Sequence, residues 1–205
     1  MAQHATIAPW AQEVPGAPYP MTVDDLLALP EDAEWQYELV DGRLVRMPAS
    51  GFEASEIAAN LLISLGAFVR AQDLGRVTGA DGTYDLTRPG DPTATGLVPD
   101  VAFVRKDRIP PATSPAYRKA LRLPPDLAAE VVSPSRFHPE MSIKAKRYLD
   151  AGVRLVWLVR PKYQQVEVWH HSSAGLVATS NIGDALDGLD VVPGFTYPLA
   201  DLFAP

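Results

Sequence analysis

The sequence lacks several features that would assign it to a familiar class. It has no cysteine in 205 residues, which excludes disulfides, thiolate metal sites and cysteine nucleophiles. No apolar run approaches the roughly 18 residues of a membrane span, so none is expected. The N-terminus lacks the charged-then-apolar pattern of a secretory signal, which favours a cytoplasmic protein. Internal repeats and glycine-rich phosphate loops are also missing.

Basic charge is scarce. Lys and Arg number 18 against 25 Asp and Glu, giving a net charge of −7. This counts against a strong general nucleic-acid binder, whose footprint is usually a basic face, but it leaves room for a local basic groove. The length suits one hydrophobic core. We therefore expect an N-terminal extension at 1–20, rich in Pro and Ala, and a single domain at 21–205.

Two segments typical of buried strands each carry a carboxylate. Asp100 follows Pro99 at the start of the apolar run 101–104, and Glu130 lies within the apolar run 127–132. Period-two alternation places Asp126 and Glu130 on one face of the second strand. A buried carboxylate is costly unless it is paired or bound to a cation. Two on adjacent strands repel each other, and a divalent cation would relieve that repulsion.

A helix is predicted to follow, with His138-Pro139 at its start and Gly152 as its stop. Its apolar stripe consists of Met141, Ala145, Tyr148 and Leu149. Lys144 lies at the edge of that stripe, whereas Lys146 and Arg147 point away. One lysine therefore faces the sheet, within reach of the two carboxylates.

Local signals predict the remaining scaffold. Thr22 to Asp25 forms a capping-box pattern that opens a short helix. Asp41-Gly42 joins two alternating runs as a hairpin. Residues 53–72 fit a long amphipathic helix ended by Gly75, and further strands are expected at 155–159, 165–169 and 176–179. His170 and His171 are interpreted as surface residues, because neighbours on a strand point to opposite faces and cannot easily bind one metal ion together.

The order Asp, Glu, Lys resembles the PD-(D/E)XK nuclease superfamily, and the whole set of motifs resembles one branch, a restriction endonuclease family called Uma-two. The matching segments are 37–44 (YELVDGRL), 99–104 (PDVAFV), 125–135 (PDLAAEVVSPS), Lys144, 148–153 (YLDAGV), 156–161 (VWLVRP) and 192–195 (VPGF). Together they span roughly Thr22 to Phe203.

The resemblance implies an α/β fold with a restriction-endonuclease-like core, in which helices flank a central mixed β-sheet. It implies that Asp100 and Glu130 bind Mg²⁺ or Mn²⁺, with the Val131 carbonyl as a third oxygen ligand. Lys144 would act on the attacking water or stabilise the transition state. Glu38 either completes the metal site, as the resemblance suggests, or is a solvent-facing residue of the hairpin. DNA would be the substrate, and the protein would be a homodimer.

The sequence departs from the superfamily in two places. The lysine that normally follows the Glu by two residues would fall at Val132, so its role is assigned to Lys144 on the next helix. A histidine is often found at the start of the first long helix, but residues 51–55 read GFEAS.

Other functions stay open. The domain is alternatively an inactive binding module, a structural homodimer with the Trp-rich edge and the apolar C-terminal end as its interface, or a hydrolase of smaller phosphodiesters. The apolar C-terminal end is expected to pack either on its own domain or on a second copy. Glu130 and Lys144 would then form a purely structural bridge. The Pro-rich loop 106–125, which carries Lys106, Arg108, Arg118, Lys119 and Arg122, is either a solvated loop or a flap that contacts phosphate or a second subunit.

Overall fold

The computed structural model describes residues 8–30, 32, 34–118, 120–133, 138–173 and 175–204. The helices over these residues are α1 (Val23–Leu27), α2 (Phe52–Ala71), α3 (His138–Asp150) and α4 (Leu199–Leu202). The strands are β1 (Gln12–Glu13), β2 (Trp35–Val40), β3 (Arg43–Pro48), β4 (Gly75–Thr78), β5 (Tyr84–Asp85), β6 (Gly96–Leu97), β7 (Val101–Arg105), β8 (Leu127–Val131), β9 (Leu155–Arg160), β10 (Gln165–His170), β11 (Gly175–Ser180), β12 (Ala185–Asp187) and β13 (Thr196–Pro198).

The main sheet has the strand order β11-β10-β9-β8-β7-β4 and is mixed. Strands β8 and β9 are parallel, and their neighbours pair antiparallel. Parallel neighbours need a crossover connection, which α3 provides between β8 and β9. The central strands are buried on both faces, and this explains their nearly continuous apolar sequences. The predicted α/β class with a central mixed sheet is confirmed.

A smaller sheet, in the order β1-β3-β2-β6-β5, is built around the predicted hairpin. Asp41 and Gly42 connect β2 to β3 with φ values of 49° and 75°, the left-handed pair that a two-residue turn of this kind requires. The α1 capping box at Thr22 and Asp25 is also present. Both local predictions are therefore confirmed. Strand β6 lies in a segment that the sequence had assigned to a loop, since pairing with distant β2 and β5 has no local signature.

Helix α2 covers one face of the main sheet. Its buried stripe, at helical spacing, consists of Ala54, Ile57, Leu61, Leu65 and Val69. The apolar C-terminal end packs on the same side, where the Phe195 ring contacts both Phe68 and Trp157. That end is thus part of the core of its own chain, and it is not available as the dimer surface considered above.

Helix α2 has one property that inspection of the sequence did not anticipate. By length and composition it is apolar enough to cross a membrane. Its buried stripe against β4, β7 and β8 is what a core helix shows, and such helices pass the same test.

The opposite face of the main sheet packs against α3 and the smaller sheet. This second core includes Met141, Ala145 and Tyr148 of α3, the predicted apolar stripe, together with Ala102 and Ala128 of the sheet. The alternation along β8 is therefore as expected, because Ala128 and Glu130 face this side while Leu127 and Ala129 face α2. The result is one layer between sheets in which polar groups can be sealed from water.

The sequence suggested that Gly75 ends α2, and this is wrong. The helix stops at Ala71, Asp73 takes the left-handed conformation with φ of 52°, and Gly75 opens β4. A glycine is needed there for a different reason. A Cβ on Gly75 would overlap the backbone carbonyl oxygen of Val104 on the paired strand β7.

We expect Gly75→Ala to lower the free energy of unfolding by about 3 kcal/mol, because backbone atoms of β7 must move to accept the methyl group. Urea denaturation followed by circular dichroism measures this. Gly66→Ala in α2 is the matched control, since nothing lies within 4 Å of its Cβ position, and it should stabilise the helix by up to about 1 kcal/mol. Equal losses in the two variants would contradict the explanation.

Candidate active site

Lys144 lies at the centre of a buried ionic cluster between the two sheets. Its Nζ atom is 2.8 Å from Oε1 of Glu38 on β2 and 2.8 Å from Oε1 of Glu130 on β8. The side chains of the lysine and the two glutamates are only 1%, 0% and 2% exposed. Lys144 reaches this position because it lies beside the apolar stripe of α3, whereas Lys146 on the same helix is exposed and pairs with Asp150. The sequence-based orientation of these two lysines is therefore confirmed.

Glu38 is held by neutral donors as well as by Lys144. The backbone N–H of Val98 donates to its Oε1 at 3.0 Å, and the indole N–H of Trp10 donates to its Oε2 at 3.2 Å. The solvent-facing interpretation of Glu38 is wrong, because pairing of β2 with both β3 and β6 places this face of the hairpin inside the molecule.

Glu130 has an unusual protonation equilibrium. Burial raises the pKa of its carboxyl to about 7, and the charges of Asp100 and Glu38 act in the same direction against the lowering effect of Lys144. The hydroxyl of Tyr148, one turn along α3 from Lys144, donates to Glu130 Oε1 at 2.7 Å. Burial and the nearby carboxylates raise the pKa of Tyr148 well above its ordinary value, so this hydroxyl stays a donor.

Asp100 lies at the start of β7, beside the end of β8. The backbone N–H of Val131 donates to its Oδ2 at 2.6 Å, across the pair of strands in which Val101 opposes Ala129. Asp100 is 8% exposed, so it is also largely buried. The structure thus places Asp100 next to Val131, the residue whose carbonyl was predicted as a ligand, and close enough to Glu130 to raise its pKa.

Carboxylates outnumber the lysine among the described residues of this cluster. When ionised, Glu38, Asp100 and Glu130 carry three negative charges and Lys144 carries one positive charge. Burial raises the pKa of Glu130, and the charges of Asp100 and Glu38 add to that effect. Carboxylate and carbonyl oxygens are the ligands preferred by Mg²⁺ and Mn²⁺. The oxygen donor set and the surplus of carboxylates over lysine both fit a hard divalent cation.

The basic loop 106–125 is mostly engaged in ion pairs. Arg108 pairs with buried Asp126 at 2.7 Å, Arg122 with Asp24 at 2.8 Å, and Lys106 with Asp73. Arg118 lines a cavity of about 760 Å³ beside Tyr84 and Arg76. Lys119 lies outside the described residues. Asp126 accepts hydrogen bonds from the loop and the sheet and is therefore a structural residue, separate from the cluster.

His170 was interpreted as a surface residue, and this is wrong. The chain leaves β10 at His170 and turns, so His170 is 8% exposed, with its Nε2 2.8 Å from Asp190 Oδ1 and its Nδ1 2.7 Å from Ser172 Oγ. His171 is exposed, and its ring centroid is 4.6 Å from that of His170. In the part of the chain that is described, His170, His171 and Asp190 could hold a metal ion, with candidate ligand atoms within 4.8 Å of one another. Both ring nitrogens of His170 already have hydrogen-bond partners, as expected of a structural histidine.

Two members of the cluster escaped the sequence analysis. Tyr148 was assigned only to the apolar stripe, although a tyrosine pointing at predicted buried carboxylates is a reasonable donor. Trp10 lies in the expected extension, and nothing in the sequence links it to Glu38.

The raised pKa of Glu130 predicts how stability depends on pH. A carboxyl with a higher pKa in the folded state binds its proton more tightly there, so its contribution is complete below the unfolded value of about 4.5 and is lost as the pH rises through about 7. Relative to Glu130→Gln, the wild type should lose about 3 kcal/mol of unfolding free energy between pH 4 and pH 8. Urea titrations across this range measure the difference. Glu167→Gln on β10 is the control, and parallel curves for wild type and Glu130→Gln would refute the assignment.

Comparison with known proteins places the chain. No curated protein matches it. A crystal structure titled as a putative nuclease belonging to DUF820, from Anabaena variabilis ATCC 29413, superposes with a TM-score of 0.70 at 22% identity, covering 90% of this chain and 98% of that one. At this identity the superposition shows the fold. The model of the Uma2 family, described as "Putative restriction endonuclease", matches residues 23–200, and the chain therefore belongs to that family.

Proposed function

We propose that the protein is a metal-dependent endonuclease that hydrolyses phosphodiester bonds of DNA in the cytoplasm, with residues 21–205 as its one domain. Family membership supports a nuclease-like function. The observation that carries the finer proposal is the gathering of three buried carboxylates, Glu38, Asp100 and Glu130, beside Lys144, with the pKa of Glu130 raised to about 7.

Asp100, Glu130 and the Val131 carbonyl would hold Mg²⁺ or Mn²⁺, with Glu38 as a third carboxylate. When bound, the cation would lower the pKa of a coordinated water and offset charge that grows on the phosphate. Tyr148 fixes the position of Glu130 through its hydrogen bond, and the Val131 N–H fixes Asp100. These contacts hold the two carboxylates in position before a metal ion binds, which reduces the reorganisation that metal binding requires.

Lys144 is proposed as a cationic donor and not as a base. Two carboxylates at 2.8 Å favour its ammonium form, in which it has no lone pair to accept a proton. An ammonium held in a site from which water is excluded can orient the attacking water or stabilise the negative charge of the transition state. This distinguishes between the roles that the sequence left open.

Titration of Mn²⁺ into the wild type should detect one site. Asp100→Asn and Glu130→Gln should each weaken binding by at least about tenfold, a loss seen even for partners outside the ligand shell. Because the ion must displace a proton from Glu130, affinity should rise with pH between about 6 and 8, with proton release visible as a dependence of the heat on the buffer.

Cleavage of duplex and single-stranded DNA with Mn²⁺ tests the reaction itself. Lys144→Met should reduce the rate by at least about 100-fold. Lys146→Met is the matched control on the exposed face of α3 and should leave the rate unchanged. Full metal-dependent cleavage by Asp100→Ala would remove the proposal. Metal binding without cleavage of any substrate would favour the inactive binding module, and sedimentation velocity would test the proposed homodimer.

One observation favours a second candidate, the hydrolysis of a small phosphodiester. A cavity of about 760 Å³ presents Arg76 and Arg118, together with Asp24 and Asp81, beside apolar side chains, a mixture suited to binding a nucleotide-sized ligand. None of the four charged residues of the cluster lines it, so the ligand would have to extend from the cavity to the cluster. The net charge of −7 disfavours a long polyanion more than a short one. Comparing the hydrolysis of DNA with that of a chromogenic phosphodiester separates the two candidates.

A further inference from the structure

We propose that residues 8–14, here called the N-terminal cover, close the buried site and must leave before a ligand can enter, with Trp10 as the residue that closes it. The inference rests on the proposed function only for the claim that the open site binds a metal ion and a phosphodiester. The closing contact itself is a feature of the fold.

The contact occupies the Glu38 oxygen that has fewer partners. Glu38 Oε1 already receives Lys144 and the Val98 N–H, so Oε2 is the oxygen better placed for an additional ligand. Trp10 donates to that oxygen at 3.2 Å, and its own side chain is buried, at 5% exposure. A cation or phosphate approaching Glu38 through Oε2 would have to replace this indole.

Besides Trp10, the cover is held by Ala8, which is buried in the second core, by the Val14 N–H, which donates to the Leu44 carbonyl oxygen at 3.0 Å, and by short strand pairing. Strand β1 has two residues, and it pairs with Val45 and Arg46 of β3. The Glu13–Arg43 ion pair is at the surface, with side chains 62% and 34% exposed, where such pairs contribute little. Short edge pairing of this kind belongs to the least stable parts of a fold and opens without global unfolding.

Opening would also increase the exposure of a cation on the helix that carries Lys144, the Arg147 side chain, which is 27% exposed with the cover in place and donates to Asp41 through both terminal nitrogens. The guanidinium of Arg147 lies 5.8 Å from the centre of the Trp10 ring and is paired with Asp41 at 2.9 Å. The sequence had this arginine pointing away from the site, but it lies against the cover. Once Trp10 has left, Arg147 would face the opening, and its planar fork suits a phosphate group.

The position of the cover in the chain supports a regulatory role. The family match begins at residue 23, so residues 8–14 lie outside the part of the chain that the family defines. Yet Trp10 contributes a hydrogen bond to the acidic cluster inside it. Glu38, Glu130 and Lys144 are at most 2% exposed with the cover in place, and an ionic substrate cannot reach them in that state.

A reversible lock tests the proposal without depending on catalysis. Gln12 of β1 is paired with Arg46 of β3. Because the natural chain has no cysteine, the Gln12→Cys/Arg46→Cys double variant can form a single disulfide, which a reductant opens again. Acetylation of the Lys144 amine, followed by mass spectrometry, reports opening. The oxidised protein should react at least about tenfold more slowly at Lys144 than the reduced protein, whereas exposed Lys146 should react equally in both.

Substitution of Trp10 gives the complementary result. Trp10→Phe keeps an apolar ring and removes the N–H donor, so Mn²⁺ should bind about fivefold more tightly, the equivalent of one hydrogen bond of about 1 kcal/mol. Trp10→Ala should additionally accelerate acetylation of Lys144. Trp35→Phe, whose ring lies under Arg46 at the surface of the smaller sheet, is the control and should change neither quantity.

The outcomes separate this inference from the proposed function. Equal acetylation of Lys144 in the oxidised, reduced and Trp10→Ala proteins would overturn the proposal that residues 8–14 close the site. Acetylation that follows the lock and the Trp10 substitution supports the cover, even if no form of the protein binds Mn²⁺. In that last case the nuclease proposal fails and the cover stands.

Discussion

The two sheets and α3 meet around one ammonium group that is buried among carboxylates. Lys144 sits between Glu38 and Glu130 in a layer that is otherwise apolar, and the side chains of all three are almost fully removed from water. Removing one partner of a buried pair typically costs about 3–5 kcal/mol, since the remaining charge is left uncompensated. An apolar replacement of the whole cluster would often be as stable. The cluster is therefore not needed as a source of stability.

Each partner in the cluster comes from a different layer. Glu38 belongs to the smaller sheet, Glu130 to the main sheet, and Lys144 to the helix that crosses between β8 and β9. Asp100 stands where the chain passes from one sheet to the other, after β6 and before β7. The cluster thus joins the two sheets through polar groups, as does the hydrogen bond of 2.7 Å between Thr78 on β4 and Tyr84 on β5, and apolar side chains pack around these contacts.

Sequence reasoning reached the parts of this arrangement that local chemistry determines. The Asp41-Gly42 hairpin, the Thr22 cap and the apolar stripe of α3 each follow from a few neighbouring residues, and all are present. The resemblance led to the family and to the mixed sheet. Burial of Glu38 was left undecided, because it depends on pairing between β2 and β6, which are far apart in sequence.

The misses have the same origin. Gly75 looked like a helix stop, whereas its need for a glycine comes from Val104 on another strand. His170 was treated as a strand residue, but the chain turns there and Asp190 meets it from the closing segment. Trp10 carries no local pattern that relates it to Glu38. In each case a distant segment determines the environment, and a single sequence does not reveal which segment that is.

The residues of the cluster are far apart in the sequence, and this has a consequence for folding during protein synthesis. A growing chain exposes Glu38, then Asp100 and Glu130, before Lys144 and the rest of α3 have left the ribosome. Until then the layer between the two sheets would have to enclose carboxylates without any counter-charge, which is strongly unfavourable. The N-terminal half therefore cannot complete its core as it emerges, and closure of the two sheets must wait for the C-terminal half.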